Sequence, residues 1–286
     1  MQPTIRIAIQ KSGRLSDDSL ELIRECDISF NRGQSKLKSQ AFNFPIELLF
    51  LRDDDIPRYV ADKVADLGIV GENVLAEEKT PVDVVAKLGF SKCRISIALP
   101  KTTPYQGIDD LSGLNIATSY PNILSEFLQR SGISASIHEI SGSVEIAPSI
   151  GLAEAVCDIV SSGSTLISNG LREVEHIFNS EAVLIANQAL SKAKQKVVDE
   201  LVFRIRAVLK AKNYQYILLN APNDAIDQVI ELLPGMKSPS VLPLADEGWS
   251  SVHSVVHKEQ FWEIIEGLKA VGAQGILVVP IEKMIV

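Results

Sequence analysis

IRIAIQKSGRLSDDSLELIREC, residues 5–26, opens with a short β-type apolar run and passes through a basic turn into a helical pattern. The same switch then repeats. IELLFLR (46–52) reads as a strand, DIPRYVADKVAD (55–66) as a helix, and LGIVG (67–71) as a second buried strand. Asp17 and Asp18 stand where an N-cap would favour the first helix, and Asp53 to Asp55 stand likewise before Ile56-Pro57. Strands that alternate with helices in this way build mainly parallel sheets covered on both faces.

Outward from that stretch the alternation continues. VVAKLGFSKCRISIALP (84–100) precedes strand LNIATSY (114–120), helix PNILSEFLQRSG (121–132), strand ASIHEI (135–140), helix VEIAPSIGLAEAV (144–156), strand DIVSSG (158–163) and EAVLIAN (181–187). Residues 190–212 form the longest helical pattern, with Val197, Leu201, Ile205, Val208 and Leu209 on one stripe. The texture then changes. YQYILLNAP (214–222), helix NDAIDQVIELLPG (223–235), strands SVLPLA (240–245) and WSSVHSVVH (249–257), helix KEQFWEIIEGLKAVGA (258–273) and strand GILVVPI (275–281) spell a βαββαβ unit of the ferredoxin-like plan.

The chain has 286 residues, 46% of them apolar, enough for two or three compact domains. A net charge of −8 offers no general field for a polyanion, so any phosphate must be captured locally. No apolar run approaches the ~20 residues of a membrane span, and MQPTIRIAIQKSGRL reads as a strand and loop, not a secretory signal. Three widely separated cysteines argue against a disulfide framework, and cytoplasm is the expected location.

Chemistry concentrates in GLAEAVCDIVSSGSTLISNGL, residues 151–171. A strand ending near Asp158 runs through Ser161, Ser162, Gly163, Ser164 and Thr165 into a helix. Gly163 lets backbone approach a ligand, the hydroxyls and converging N–H groups suit a phosphate monoester, and Asp158 can accept from a ribose hydroxyl or help hold a metal-bound pyrophosphate. Alone, such a loop is more often only a turn with a helix cap. Cys157 lies in an apolar run and reads as a buried bystander, and the four histidines read as structural or surface groups, His176 following an acidic helix.

Residues 142–175, GSVEIAPSIGLAEAVCDIVSSGSTLISNGLREVE, resemble the signature region of ATP phosphoribosyltransferases. The resemblance extends to IAIQKSGRLSDDS (7–19), LRDDDIPRYV (51–60), DLGIVGENVL (66–75), CRISIALP (93–100), IATSYPN (116–122) and PIEKM (280–284), and so covers essentially the whole chain. It implies a two-lobed, periplasmic-binding-protein-like catalytic core: domain I over 1–95 and 186–212, domain II over 96–185, and a ferredoxin-like regulatory domain over 213–286.

The implied reaction transfers phosphoribosyl from phosphoribosyl pyrophosphate to N1 of ATP, releasing pyrophosphate, as the first step of histidine biosynthesis. By position, Asp158 and Ser161 to Thr165 grip the ribose phosphate, Glu145 meets nucleotide and ribose, and Lys11 and Arg14 face phosphates. Arg52, Glu72, Asn73, Arg94 and Tyr120 line the cleft. Mg²⁺ is the implied cofactor, held mainly by substrate oxygens and water and not by a protein cage. L-histidine is the implied inhibitor, contacted by Asn220, Ser238, Ser240 and Gly275. AMP is an implied competitive inhibitor, and the homo-oligomer is a dimer when active and a hexamer when inhibited. Ser162 replaces a threonine common in relatives, Ser240 replaces another, and Asn220 replaces an acidic residue found in some. The rival reading from the same fold is a solute-binding protein without chemistry.

Overall fold

The computed structural model describes residues 3–31, 37–233, 235 and 238–285. In chain order the strands are β1 (Ile5–Gln10), β2 (Lys38–Gln40), β3 (Ile46–Leu51), β4 (Leu67–Gly71), β5 (Asp83–Lys87), β6 (Cys93–Pro100), β7 (Asn115–Thr118), β8 (Ser136–Glu139), β9 (Ala155–Val160), β10 (Leu171–Ser180), β11 (Ala182–Ala186), β12 (Tyr214–Pro222), β13 (Ser240–Pro243), β14 (Trp249–His257) and β15 (Gln274–Pro280). The α-helices are α1 (Arg14–Glu25), α2 (Ile56–Ala61), α3 (Glu72–Glu78), α4 (Pro121–Ser131), α5 (Ser164–Ser168), α6 (Lys192–Lys212), α7 (Ile226–Leu232) and α8 (Phe261–Ala270).

One sheet has the order β2-β3-β1-β4-β11-β5, and β1, β3 and β4 run parallel at its centre. Ile5, Ile7, Ala8 and Ile9 of β1 are all buried, which alternation alone would not produce and which coverage of both faces requires. Gly68 of β4 makes room for the crossing helix α2: a Cβ there would sit 2.6 Å from Ile56 Cγ2. Gly68→Ala is expected to destabilise by about 1–3 kcal/mol, the cost of overpacking, read as a lower urea midpoint at unchanged slope.

A second sheet has the order β10-β6-β9-β7-β8, with β7, β8 and β9 parallel and β6 antiparallel to both of its neighbours, β9 and β10. The chain crosses into it at β6 and returns at Ala182, because β11 pairs with β4 in the first sheet. That return precedes the 186 read from the sequence. One compact unit takes the chain up to Arg24 and Ile28–Asp199. The other takes Glu25–Asp27 and everything from Glu200, so the division falls inside α6 and not at 213. In the second unit the sheet order β13-β14-β12-β15, antiparallel throughout, is that of the ferredoxin-like plan, over a core including Ile217, Leu219, Val229, Val252, Val256 and Leu268.

Several local expectations are corrected. Residues 144–156 are not a helix: one 3₁₀ turn (Val144–Ile146) gives way to turns through Pro148 and Gly151, whose φ is +75°, and Ala155-Val156 already belong to β9. Proline removes a helical donor, and the left-handed glycine ends any continuation. His176 lies in β10 and not after a helix. That strand escaped notice because two register shifts, at 173/175 and 176/178, break its alternation. Helix α1 starts at Arg14, so Asp17 is in its first turn and not at its cap. Asp55 is at the cap position of α2 but makes no capping bond, and α2 ends at Ala61, ahead of Lys63 at φ +62°. In the expected helix 223–235, α7 ends at Leu232, and Pro234 lies outside the described residues. Among the described residues no helix is long and apolar enough to cross a membrane.

Candidate active site

Strand β9 ends at Val160, and three residues later Gly163 adopts φ +79°, ψ 0°, directly before α5. A left-handed residue reverses the chain within one step, and glycine does so without Cβ strain. The turn is drawn inward by hydroxyls: Ser162 Oγ lies 3.0 Å from Ser164 Oγ and accepts the Ser164 N–H at 3.4 Å. The first N–H groups of α5 have no intrahelical acceptor, as at any helix start.

Around this turn lies an open pocket of ≈ 570 Å³ lined by Glu145, Asp158, Ser161, Ser162, Gly163, Ser164 and Thr165, with Cys93 and Ile159 at its side. Glu145 enters from the 3₁₀ turn that replaced the expected helix. Asp158 is half-buried. Burial pushes its carboxyl above the usual aspartate range, the Ile159 N–H partly opposes this, and the charge of Glu145 adds to it. A carboxylate whose ionisation is made costlier by burial and by a neighbouring charge marks a place where hydroxyl donors or a cation are welcome.

A second cavity of ≈ 880 Å³ brings both lobes together, with Gln10, Arg14 and Asp53 from the first and Tyr120, Ile159 and Ser161 from the second. Arg14 Nη1 is 3.5 Å from Ser161 Oγ, so its charge stands beside the loop. Lys92 and Arg14 supply positive potential in an otherwise acidic chain. The lobes are tied by Asn73. Its Oδ1 accepts from Ser180 Oγ at 2.8 Å, its Nδ2 donates to Tyr120 Oη at 3.2 Å, and a Cβ at Gly71 would sit 2.3 Å from that Oδ1. Burial, followed by the charge of Asp158, pushes the Tyr120 hydroxyl well above the ordinary tyrosine range, so it stays protonated. Glu77 bridges as well, accepting the Asn122 and Ile123 N–H groups at the start of α4.

Neither cavity is lined by Lys11, Arg52 or Glu72. Lys11 begins the turn after β1, its N–H bonded to the Leu51 carbonyl at 2.7 Å. Arg52 is exposed in the turn before α2. Glu72 pairs with Lys87 at 2.8 Å. Arg94 is clamped to Glu173 on β10. Sequence reasoning passed over Glu173, Glu77, Gln10, Lys92 and Cys93, since nothing local marks a residue whose partner is far along the chain. Cys157 is fully buried, its thiol pushed up to about 12 by desolvation.

In the other unit, Asn220 pairs in register with Ser251, and Ser240 with His253. A Cβ on Gly275 would stand 3.5 Å from Asn220 Nδ2, while Ser238 is exposed at the entry to β13. His253 has both ring nitrogens engaged, Nδ1 with Tyr216 Oη at 2.7 Å and Nε2 with Ser251 Oγ at 3.0 Å.

Fold and cleft define a two-lobed α/β protein of the periplasmic-binding-protein kind. A periplasmic sulfonate-binding protein from Methylobacillus flagellatus shares this fold, with a TM-score of 0.50 at 17% identity, covering 72% of this chain and 67% of that one. The family model for ATP phosphoribosyltransferase matches residues 52–207, and that for "HisG, C-terminal domain" matches residues 211–283. The chain belongs to the ATP phosphoribosyltransferase family, in its long form, and is thereby a transferase of the first step of histidine biosynthesis. The ATP phosphoribosyltransferase of Cytophaga hutchinsonii is 62% identical over 285 residues, all of both chains. That of Phocaeicola vulgatus is 57% identical over 98% of this chain and 99% of the relative. An ATP phosphoribosyl transferase (HisG:HisZ) complex from Thermotoga maritima superposes with a TM-score of 0.63 at 26% identity, covering 73% of this chain and 99% of that one.

Proposed function

We propose that the cleft joins ATP to phosphoribosyl pyrophosphate: adenine N1 attacks C1 of the ribose, the bond from C1 to the pyrophosphate oxygen breaks, and pyrophosphate departs with the electron pair. The observation that carries this reading is the strand, Asp158, and hydroxyl-rich turn with its left-handed Gly163, which together fit a ribose 5-phosphate. Ser161 to Thr165 hold the phosphate, Asp158 and Glu145 meet ribose hydroxyls, and Arg14, with Lys11, faces the pyrophosphate and ATP phosphates. Tyr120 and Asn73 form the wall where the lobes meet, and Arg52, Glu72 and Arg94 belong to the cleft's surroundings.

Adenine N1 has no proton to lose before attack, so no general base is required. Catalysis then rests on positioning and on stabilising charge as the bond to C1 loosens. Mg²⁺ bound to the pyrophosphate would neutralise the leaving group. Asp158 and Glu145, two carboxylates on one pocket with Asp158 held above its usual pKa, are the side chains fit to lend it an oxygen. Incubation with ATP, phosphoribosyl pyrophosphate and Mg²⁺ is expected to yield phosphoribosyl-ATP and pyrophosphate in equal amounts. Binding of both substrates without either product would support the solute-binding reading instead.

The unit that begins within α6 is read as the regulatory domain that takes L-histidine at Asn220, Ser238, Ser240 and Gly275. The enzyme is read as cytoplasmic, dimeric when active and hexameric when inhibited, with AMP competing for the nucleotide site. Millimolar histidine is expected to inhibit, and Asn220→Ala to raise the half-inhibiting concentration about tenfold at unchanged uninhibited kcat, within the usual range of coupling energies. Indifference of the intact enzyme to histidine would remove the regulatory assignment. Point variants test this better than a chain cut at Lys212, because the second half of α6 is bonded into the same unit, Met284 N–H to Ala207 carbonyl at 3.0 Å.

A further inference from the structure

We propose that Glu173 is a positioning residue for the phosphate-binding turn, acting through Arg94 to set which way the peptide between Ser161 and Ser162 faces. The inference rests on the reading of that turn as a phosphate cradle and adds the device that keeps it in shape. Glu173 stands on β10, outside both cavities, and its carboxylate takes both arms of one guanidinium: Arg94 Nε donates to Oε1 and Nη2 to Oε2, each at 2.5 Å. Ser96 Oγ also donates to Oε1, at 2.7 Å. This fork-on-fork arrangement fixes the plane of the guanidinium as a lone lysine could not be fixed.

The remaining edge of that plane meets the turn. Arg94 Nη1 donates to the Ser161 carbonyl at 3.3 Å. Among the described residues no peptide bond is cis, and in a trans peptide the carbonyl and the following N–H point in opposite directions. Drawing the Ser161 carbonyl toward Arg94 therefore turns the Ser162 N–H away from it. Were the peptide to flip, a carbonyl dipole would take the N–H's place in a turn that must receive an anion.

Register places the device beside the chemistry: Arg94 lies opposite Val160 and Ser96 opposite Asp158. Arg94 holds the Glu173 carboxyl below the ordinary range, so the pair stays ionised across the neutral region. The arginine nearest the turn is thus already neutralised, and its contribution to phosphate binding is orientation of backbone more than net charge.

Ribose 5-phosphate, titrated calorimetrically into the full chain, is the probe. Glu173→Gln, which keeps the shape and breaks the charged fork, is expected to weaken it about tenfold, with an equal rise in KM for phosphoribosyl pyrophosphate and unchanged KM for ATP. Arg94→Lys keeps the charge but cannot fork, and is expected to lose as much, which guards against a Gln variant that folds poorly. In an Arg94→Ala background, Glu173→Gln should change affinity less than twofold, because the link is already cut. Wild-type affinity in Glu173→Gln or Arg94→Lys, or additive losses in the double variant, would overturn the positioning role and leave the phosphate turn standing. Failure of the wild-type chain to bind ribose 5-phosphate would overturn the phosphate turn itself, and the positioning role with it.

Discussion

Asp158→Asn is expected to lower kcat/KM for phosphoribosyl pyrophosphate at least tenfold, about 1.4 kcal/mol of transition-state stabilisation, with little change in fold. The amide keeps the shape and an acceptor oxygen, so the Ile159 N–H, 2.7 Å from Oδ1, retains its partner. What is lost is the charge that the proposed reaction sets against the ribose, where positive character grows as the bond to C1 loosens. The pH profile gives a second reading. Burial and the neighbouring Glu145 hold the Asp158 carboxyl above the usual range, so the ionised form is lost at a higher pH than for an ordinary aspartate. The acid limb of kcat/KM should therefore lie above that range in the wild type and vanish in Asp158→Asn. Near wild-type kinetics with an unaltered acid limb would remove Asp158 from the chemistry.

Gly163→Val should raise KM for phosphoribosyl pyrophosphate about tenfold or more, and the structure identifies the cause. A Cβ at this position would find Val160 Cγ1 at 3.9 Å, ordinary contact, so collision inside the protein is not the difficulty. The backbone is: at φ +79° a β-branched residue carries strain of about 1–3 kcal/mol, which the chain relieves by moving the turn. Gly163→Ala should show the same change to a smaller degree, since its single Cβ shares the strain without the branching. Both variants must keep the wild-type circular dichroism for the comparison to count. A folded Gly163→Val that bound ribose 5-phosphate normally would show that the turn does not cradle the phosphate.

How legible each feature was depended on how local its cause is. The strand-turn-helix around Asp158 and Gly163 could be read directly, because a buried apolar run, a left-handed glycine and clustered hydroxyls act within a few residues. The helix expected over 144–156 was misread for the complementary reason: apolar spacing suggested a helix, while Pro148 and Gly151 ended it and left Glu145 facing the pocket. Arg94 was expected by position to line the cleft, and in the structure it lines neither cavity but bonds the Ser161 carbonyl from outside. Its clamp by Glu173 was invisible, since the two are far apart in sequence and meet only because β10 lies beside β6.

By itself, the sequence determined the α/β alternation, the ferredoxin-like unit at the end and the hydroxyl-rich turn before α5, because hydrophobic period, turn chemistry and backbone permissiveness are properties of short segments. Tertiary structure alone decided which charges are spent internally, Glu72 on Lys87 and Glu173 on Arg94, and which remain at the cleft, Arg14, Asp158 and Glu145. It also decided that β11 returns to the first sheet at Ala182 and that α6 is divided at Glu200. The physical reason is the same in each case: pairing between strands and between charges is settled by distance in space, which sequence separation does not encode.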